Sequence, residues 1–142
     1  MIYTNLTKKA LKICFEAHKN QVDKAGMPYV FHPFHLAEQM DDEISTVCAL
    51  LHDVVEDTET TFYDLIKMGF PQEVIEVLKL LTHEENVPYY EYVSKIATHP
   101  IAKKVKIADV NHNRDKTRLS PDDDRAAYWE EKYRKAMEIL LK

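Results

Sequence analysis

The chain has 142 residues, of which 45% are hydrophobic and 30% charged, and its formal net charge is −5. That balance fits a globular chain long enough to bury a sizeable core and excludes a disordered one. The acidic excess argues against a nucleic acid polymer as partner, and no apolar run approaches the roughly 20 residues that span a bilayer.

Only two glycines occur in the sequence. With apolar residues spaced by three and four and little β-branched alternation, this predicts an all-α fold, one domain over residues 1–142 with about seven or eight helices. Lysines interrupt the apolar positions of the N-terminus, so it lacks the order of a signal peptide, and a cytoplasmic protein is expected. Leu6, Ala10, Ile13, Cys14, Ala17 and Gln21 mark one face of a first helix, with Lys24 and Gly26 supplying its end. Pro28 and Pro33 disfavour helix before each of them, which puts His32 in an extended or turning link and starts a short helix near Phe34. A third helix is expected from about Asp42 to Glu56. Thr60 and Thr61 cap another that reaches Met68 and stops at Gly69. Further helices are expected at about 72–84, 89–98 and 101–111, with Pro71, Pro88 and Pro100 at their boundaries. Ser120-Pro121-Asp122-Asp123 reads as the start of a last helix, along which Ala126, Trp129, Tyr133, Ala136 and Leu140 form an apolar stripe. Cys14 and Cys48 lie in apolar-periodic segments without a CxxC partner and read as buried free thiols. One or two of Tyr89, Tyr90 and Tyr92 are expected in the core, an exposed lid or docking edge being the alternative.

The third helix carries an unusual charge pattern. From Met40 through Ile66 there are eight Asp and Glu residues and no Lys or Arg. At about 100° per residue, Val47, Leu50, Leu51, Val54 and Val55 fall on one side and His52, Asp53, Glu56 and Asp57 on the other. A solvated face is the competing reading, but such faces usually mix signs, and acids at a helix C-terminus oppose the macrodipole. A divalent cation on this face resolves both oddities. His32, from FHPFH, is a candidate second imidazole, and Asp109, from VKIADVNHN, a candidate second carboxylate. Mixed nitrogen and oxygen ligation suits manganese, iron or zinc better than calcium. Four protein ligands leave positions open, as in catalytic sites where the ion activates water and polarises a phosphoryl oxygen. His18, His35, His83, His99 and His112 read as structural or surface residues. His112, three residues after Asp109, comes nearest to the site, and His35 or His18 is a candidate support behind a ligand.

The ordered set of HP at 32–33, LLHDVVEDT at 50–58 and VKIADVNHN at 105–113 resembles the HD-domain metal-dependent phosphohydrolases. More narrowly it resembles the hydrolase domain of the Rel/SpoT alarmone enzymes and their small stand-alone relatives. The shared pattern runs from Ala17-His18 through Gln21, Lys24, Gly26, Pro28-Tyr29 and His32-Pro33 to Asn113. The resemblance implies an HD-type helical bundle in which His32, His52, Asp53 and Asp109 hold one metal, typically Mn²⁺, with Fe²⁺ or Zn²⁺ as alternatives. It assigns Glu56 and Asp57 to orienting or activating the attacking water, Lys24 to the substrate phosphates and Asn113 to the nucleotide. The implied reaction removes the 3′-pyrophosphate from guanosine tetra- or pentaphosphate, leaving GDP or GTP and pyrophosphate.

Two departures stand out. Those hydrolases usually carry Arg-Lys where this chain has Asp23-Lys24, which turns a planar cation into an anion. The segment after Asp109 also differs, and Arg114, Lys116 and Arg118 there read either as phosphate contacts or as a solvated basic turn. Two other functions are therefore weighed. One is an HD phosphatase acting on a nucleoside monophosphate or another nucleotide diphosphate, and the other is a nucleotide-binding module that kept its metal site without turnover. In each case the partner is a small nucleotide rather than a polymer or a membrane. The sequence carries no signal of oligomeric state.

Overall fold

The computed structural model describes residues 1–119 and 123–142. Those residues form nine α-helices: α1 (Asn5–His18), α2 (Phe31–Glu38), α3 (Glu43–Leu51), α4 (Val54–Asp57), α5 (Phe62–Lys67), α6 (Gln72–Leu81), α7 (Tyr89–Ile96), α8 (Pro100–Asn113) and α9 (Ala126–Leu140), with a 3₁₀ turn at Lys116–Arg118. The all-α expectation holds, and the described residues contain no strand, only an isolated bridge between Val22 and Pro28.

The centre of the fold is α3. Every residue from Ser45 to Leu51 is buried, as expected for a helix that is apolar on all sides and needs neighbours all round. Helices α1, α2, α6 and α8 surround it. Local chemistry sets the helix ends. Thr4 and Thr61 each form a reciprocal capping box, with Thr7 and Asp64, and Asp42 accepts a 2.8 Å bond from the Ser45 N–H at the start of α3. Gly69, at φ +95°, ends the segment that follows α5 in a conformation open to glycine at little cost. Cys14 and Cys48 are buried and free. Tyr92 is buried and donates to the Leu81 carbonyl at 2.6 Å, while Tyr90 remains exposed.

Four expectations need correction. First, α1 stops at His18 rather than running on past Gln21. Asp23 Oδ1 accepts the N–H groups of Ala25 and Met27 at 2.9 and 3.0 Å, a local arrangement that competes with helix, and Gly26 turns the chain at φ +83°. Second, His32 is helical: α2 opens at Phe31, so Pro33 falls in the first turn, where its missing N–H costs no hydrogen bond. Third, the helix expected from Asp42 to Glu56 is broken. His52 is the C-cap of α3, Asp53 leaves helical geometry at φ −109°, ψ 0°, and α4 restarts at Val54. The break accounts for the helix count exceeding seven or eight. Fourth, the last helix begins at Ala126. The cap expected at Ser120, Pro121 and Asp122 lies outside the described residues, and Asp123 instead accepts from the Arg125 N–H at 2.9 Å.

Candidate metal centre and cleft

Three buried polar side chains meet where α2, α3 and α8 converge. His32 on α2, His52 at the end of α3 and Asp109 on α8 are 2%, 4% and 6% exposed, and each offers a ligand atom within 4.8 Å of the others. His32 Nε2 lies 2.8 Å from Asp109 Oδ1. His52 Nε2 lies 2.9 Å from Asp53 Oδ2 and 3.6 Å from Asp109 Oδ1, yet makes no well-aligned hydrogen bond to either. The break after α3 produces this placement, since it turns Asp53 back toward the imidazole that precedes it.

The outer nitrogens of both rings are held in place. His52 Nδ1 lies 2.7 Å from the Ala49 carbonyl oxygen, to which only an N–H can donate, so in the neutral ring the lone pair sits on Nε2 and faces the cluster. His32 Nδ1 lies 2.7 Å from His112 Nδ1. Burial, then the charge of Arg118, lowers the His112 pKa to about 3, so His112 is neutral and has a lone pair with which to accept from His32. Ring N–H groups anchored in this way are what imidazole ligands require. An orphaned buried Nε2 between two carboxylates, with both histidines held from behind, fits a divalent cation. His112 therefore stands behind His32, where His35 or His18 was the candidate; His35 stacks on the far side of His112, with ring centroids 4.0 Å apart.

The carboxylates are electrostatically divided. Burial raises and His52 lowers the Asp53 pKa, which settles at about 2. Asp109 is held well below the usual carboxylate range against its burial, first by Lys106, whose Nζ lies 2.8 Å from Oδ2. The same two carboxylates raise His52 above its ordinary value despite burial. Glu56 and Asp57, on α4, move the other way. Burial first, then the charges of Asp53 and Glu56, lifts Asp57 to about 6. Burial also raises Glu56, and the His83 N–H donates to its Oε1 at 2.7 Å.

Above the cluster opens a cleft of about 430 Å³. Asp53, Glu56, Asp57 and Asp109 give it an acidic lining, which Lys106, Lys132, Tyr89 and Tyr133 share. Asn113 lines the cleft while donating to Asp109 Oδ1 at 3.0 Å. It also borders a cavity of about 760 Å³ that contains Trp129, Arg114 and Lys116, and a smaller one of about 190 Å³ beside Lys24 and Arg118.

Lys24 is not in the cleft. Its ammonium sits 3.4 Å from the centre of the Trp129 ring, and burial, then the charge of Lys132, lowers its pKa to about 8. Asp23 is spent on its own turn and on Arg118, whose Nη2 is 3.5 Å from Oδ2. Arg118 in turn donates to the His112 carbonyl at 2.8 Å. The negative charge at position 23 is thus matched by a guanidinium delivered from the 3₁₀ turn.

Three site residues were missed in the sequence reading. Tyr29 donates a short hydrogen bond to Asp53 Oδ2, Lys106 pairs with Asp109, and Lys132 enters the cleft from α9. Lys106 carried a signal, because it lies three residues before Asp109 on one helix and such pairs face each other. Nothing in local spacing links Lys132 to the site.

No protein-family model matches the chain. Individual proteins do. The Danio rerio guanosine-3′,5′-bis(diphosphate) 3′-pyrophosphohydrolase MESH1 is 32% identical across 96% of this chain and 83% of its own length. Its Mus musculus counterpart is 35% identical across 75% of this chain and 68% of its own. The solved structure of a metazoan orthologue of SpoT that hydrolyses ppGpp superposes with a TM-score of 0.80 over 99% of this chain and 88% of that one, at 24% identity, which shows a shared fold. With the HD cluster in place on that fold and identity spanning nearly the whole chain, the protein belongs to the MESH1 family of HD-domain guanosine-3′,5′-bis(diphosphate) 3′-pyrophosphohydrolases.

Proposed function

We propose that the chain hydrolyses guanosine 3′,5′-bis(diphosphate) and its pentaphosphate analogue at the 3′ position, releasing pyrophosphate. One observation carries the reading. In a member of this family, a buried His32–His52–Asp109 cluster with an unpartnered imidazole nitrogen adjoins, through Asp109 and Asp53, an open cleft also lined by Glu56 and Asp57.

His32, His52, Asp53 and Asp109 would hold one divalent cation, Mn²⁺ being the ion to try first and Fe²⁺ or Zn²⁺ the alternatives. Such an ion supplies Lewis acidity toward a phosphoryl oxygen and lowers the pKa of water. The other steps belong to the protein. Asp57, with its pKa near 6, accepts a proton from the attacking water close to neutral pH. Glu56, fixed by the His83 N–H, orients that water. Asn113 stands where the cleft meets its two neighbouring cavities and contacts the nucleotide there. Lys24, packed on Trp129, acts at the nucleotide's outer end rather than at the scissile bond.

The test is pyrophosphate release from the alarmone with Mn²⁺. The wild type should release intact pyrophosphate, and Asp53→Ala should lose activity by at least two orders of magnitude. Asp23 favours one second reading, an HD phosphatase for another nucleotide, because no arginine stands at that position. Release of orthophosphate from a nucleotide panel, with none of pyrophosphate from the alarmone, would establish it. Tight nucleotide binding without turnover would instead mark a binding module.

A further inference from the structure

The acidic wall of the cleft poses a problem for the proposed reaction. A pyrophosphate group is a polyanion, yet Asp53, Glu56, Asp57 and Asp109 all face the space it must enter. One divalent cation and one ammonium do not balance four carboxylates, and the ammonium of Lys106 is already committed. It lies 2.8 Å from Asp109 Oδ2 with its side chain 12% exposed. Lys24, the cation first suggested for the phosphates, lines a different cavity.

The geometry points to Lys132 as the side chain that binds the leaving pyrophosphate. It lines the cleft from α9, the same cleft that the four carboxylates line. Its ammonium lies 4.3 Å from the centre of the Tyr89 ring and 5.7 Å from that of Tyr133. Among the described residues it forms no ion pair and no hydrogen bond, although Arg134 and Lys135 beside it on the same helix are both paired with Glu131. A half-buried ammonium propped on aromatic rings and left without an anion is a site awaiting one. An oxyanion in this cleft would meet both Lys132 and a cation held at Asp53 and Asp109, which line the same space. Three phenols, Tyr89, Tyr128 and Tyr133, line the same cleft and offer hydrogen bonds to further phosphate oxygens. Lys132 thus shares the cleft with the carboxylates, whereas Lys24, on the same Tyr133 ring at 5.6 Å, lines the neighbouring cavity. The assignment rests on the proposed reaction only for the identity of the anion.

The deciding measurement is calorimetric titration of inorganic pyrophosphate into the Mn²⁺-loaded protein, with Mn²⁺ affinity measured separately by electron paramagnetic resonance. Lys132→Met should weaken pyrophosphate binding about tenfold or more, as expected for loss of a charge-assisted hydrogen bond. Lys132→Arg should stay within about threefold of the wild type, since it keeps the charge. Lys135→Met, on the exposed side of the helix, should change nothing. The assignment is overturned if Lys132→Met binds pyrophosphate as the wild type does, if the wild type itself binds none, or if Mn²⁺ affinity falls in parallel, which would make the residue a support of the metal cluster. Failure of the wild type to hydrolyse the alarmone would count against the proposed function alone, because the titration needs no turnover.

Discussion

Among individual residues, Asp57 shows how the site trades stability for chemistry. Its carboxyl rises from 3.8 to about 6 on folding. Between those values the folded chain holds more protons than the unfolded one, so stability falls as pH rises through the window and is lowest above it. Asp57→Asn removes that penalty. Because Asp57 is exposed and screened by solvent, the gain is small, and at pH 7 without metal the variant should melt at or slightly above the wild type by circular dichroism. Its hydrolysis rate should drop by about 10²–10⁴, the usual worth of a general base. The wild-type rate should decline as pH falls through about 6, where Asp57 takes up its proton. A variant that melts lower, or a rate indifferent to pH between 5 and 7, would contradict this account.

At the scale of elements, α3 and its break decide the site. Leu50 is fully buried in the central helix, two residues before His52. Leu50→Ala should cost about 3–5 kcal/mol in urea denaturation, the range for a buried leucine that leaves a cavity. The same element shows what the sequence could and could not convey. The sorting of Leu50, Leu51 and Val54 from His52, Asp53, Glu56 and Asp57 was readable from periodicity, and so was a candidate metal site at His52 with His32 and Asp109. The break at Asp53 was not, because one of the contacts that hold it comes from far along the chain: Tyr29, which bonds Asp53, acts together with the local contact of the His52 ring to the Ala49 carbonyl. For α2, the proline rule was applied too strictly, and His32 proved to be helical. Caps built from neighbouring residues, such as Thr61 with Asp64, were legible because the partners lie within one turn.

For the whole molecule, the metal cluster and the main core are separable. The core around α3, α6 and the inner faces of α1 and α8 is apolar and continuous, and the buried His32, His52 and Asp109 are no part of it. Removing metal should therefore leave the chain folded. Saturating Mn²⁺ at about one hundred times its dissociation constant should stabilise it by about 2.7 kcal/mol, and His32→Ala should abolish that gain. Thermal melts with and without chelator check both points, and unfolding on chelation would show that the ion is structural. The all-helical fold and the three converging metal-site residues were legible from spacing and motif. The α9 lining of the cleft was not, since Lys132 reaches it only because α9 packs across α7 and α8, a crossing that no local pattern encodes.

The position of Trp129 has an optical consequence. It is the chain's single tryptophan, it borders the larger cavity beside the cleft, and its indole lies 3.4 Å from the Lys24 ammonium and 4.5 Å from the Arg125 guanidinium. An anionic guest that draws either cation away alters the field across the ring that emits. Occupancy of that cavity by an anion should thus register in the tryptophan fluorescence of the unlabelled protein, from one residue at one known place.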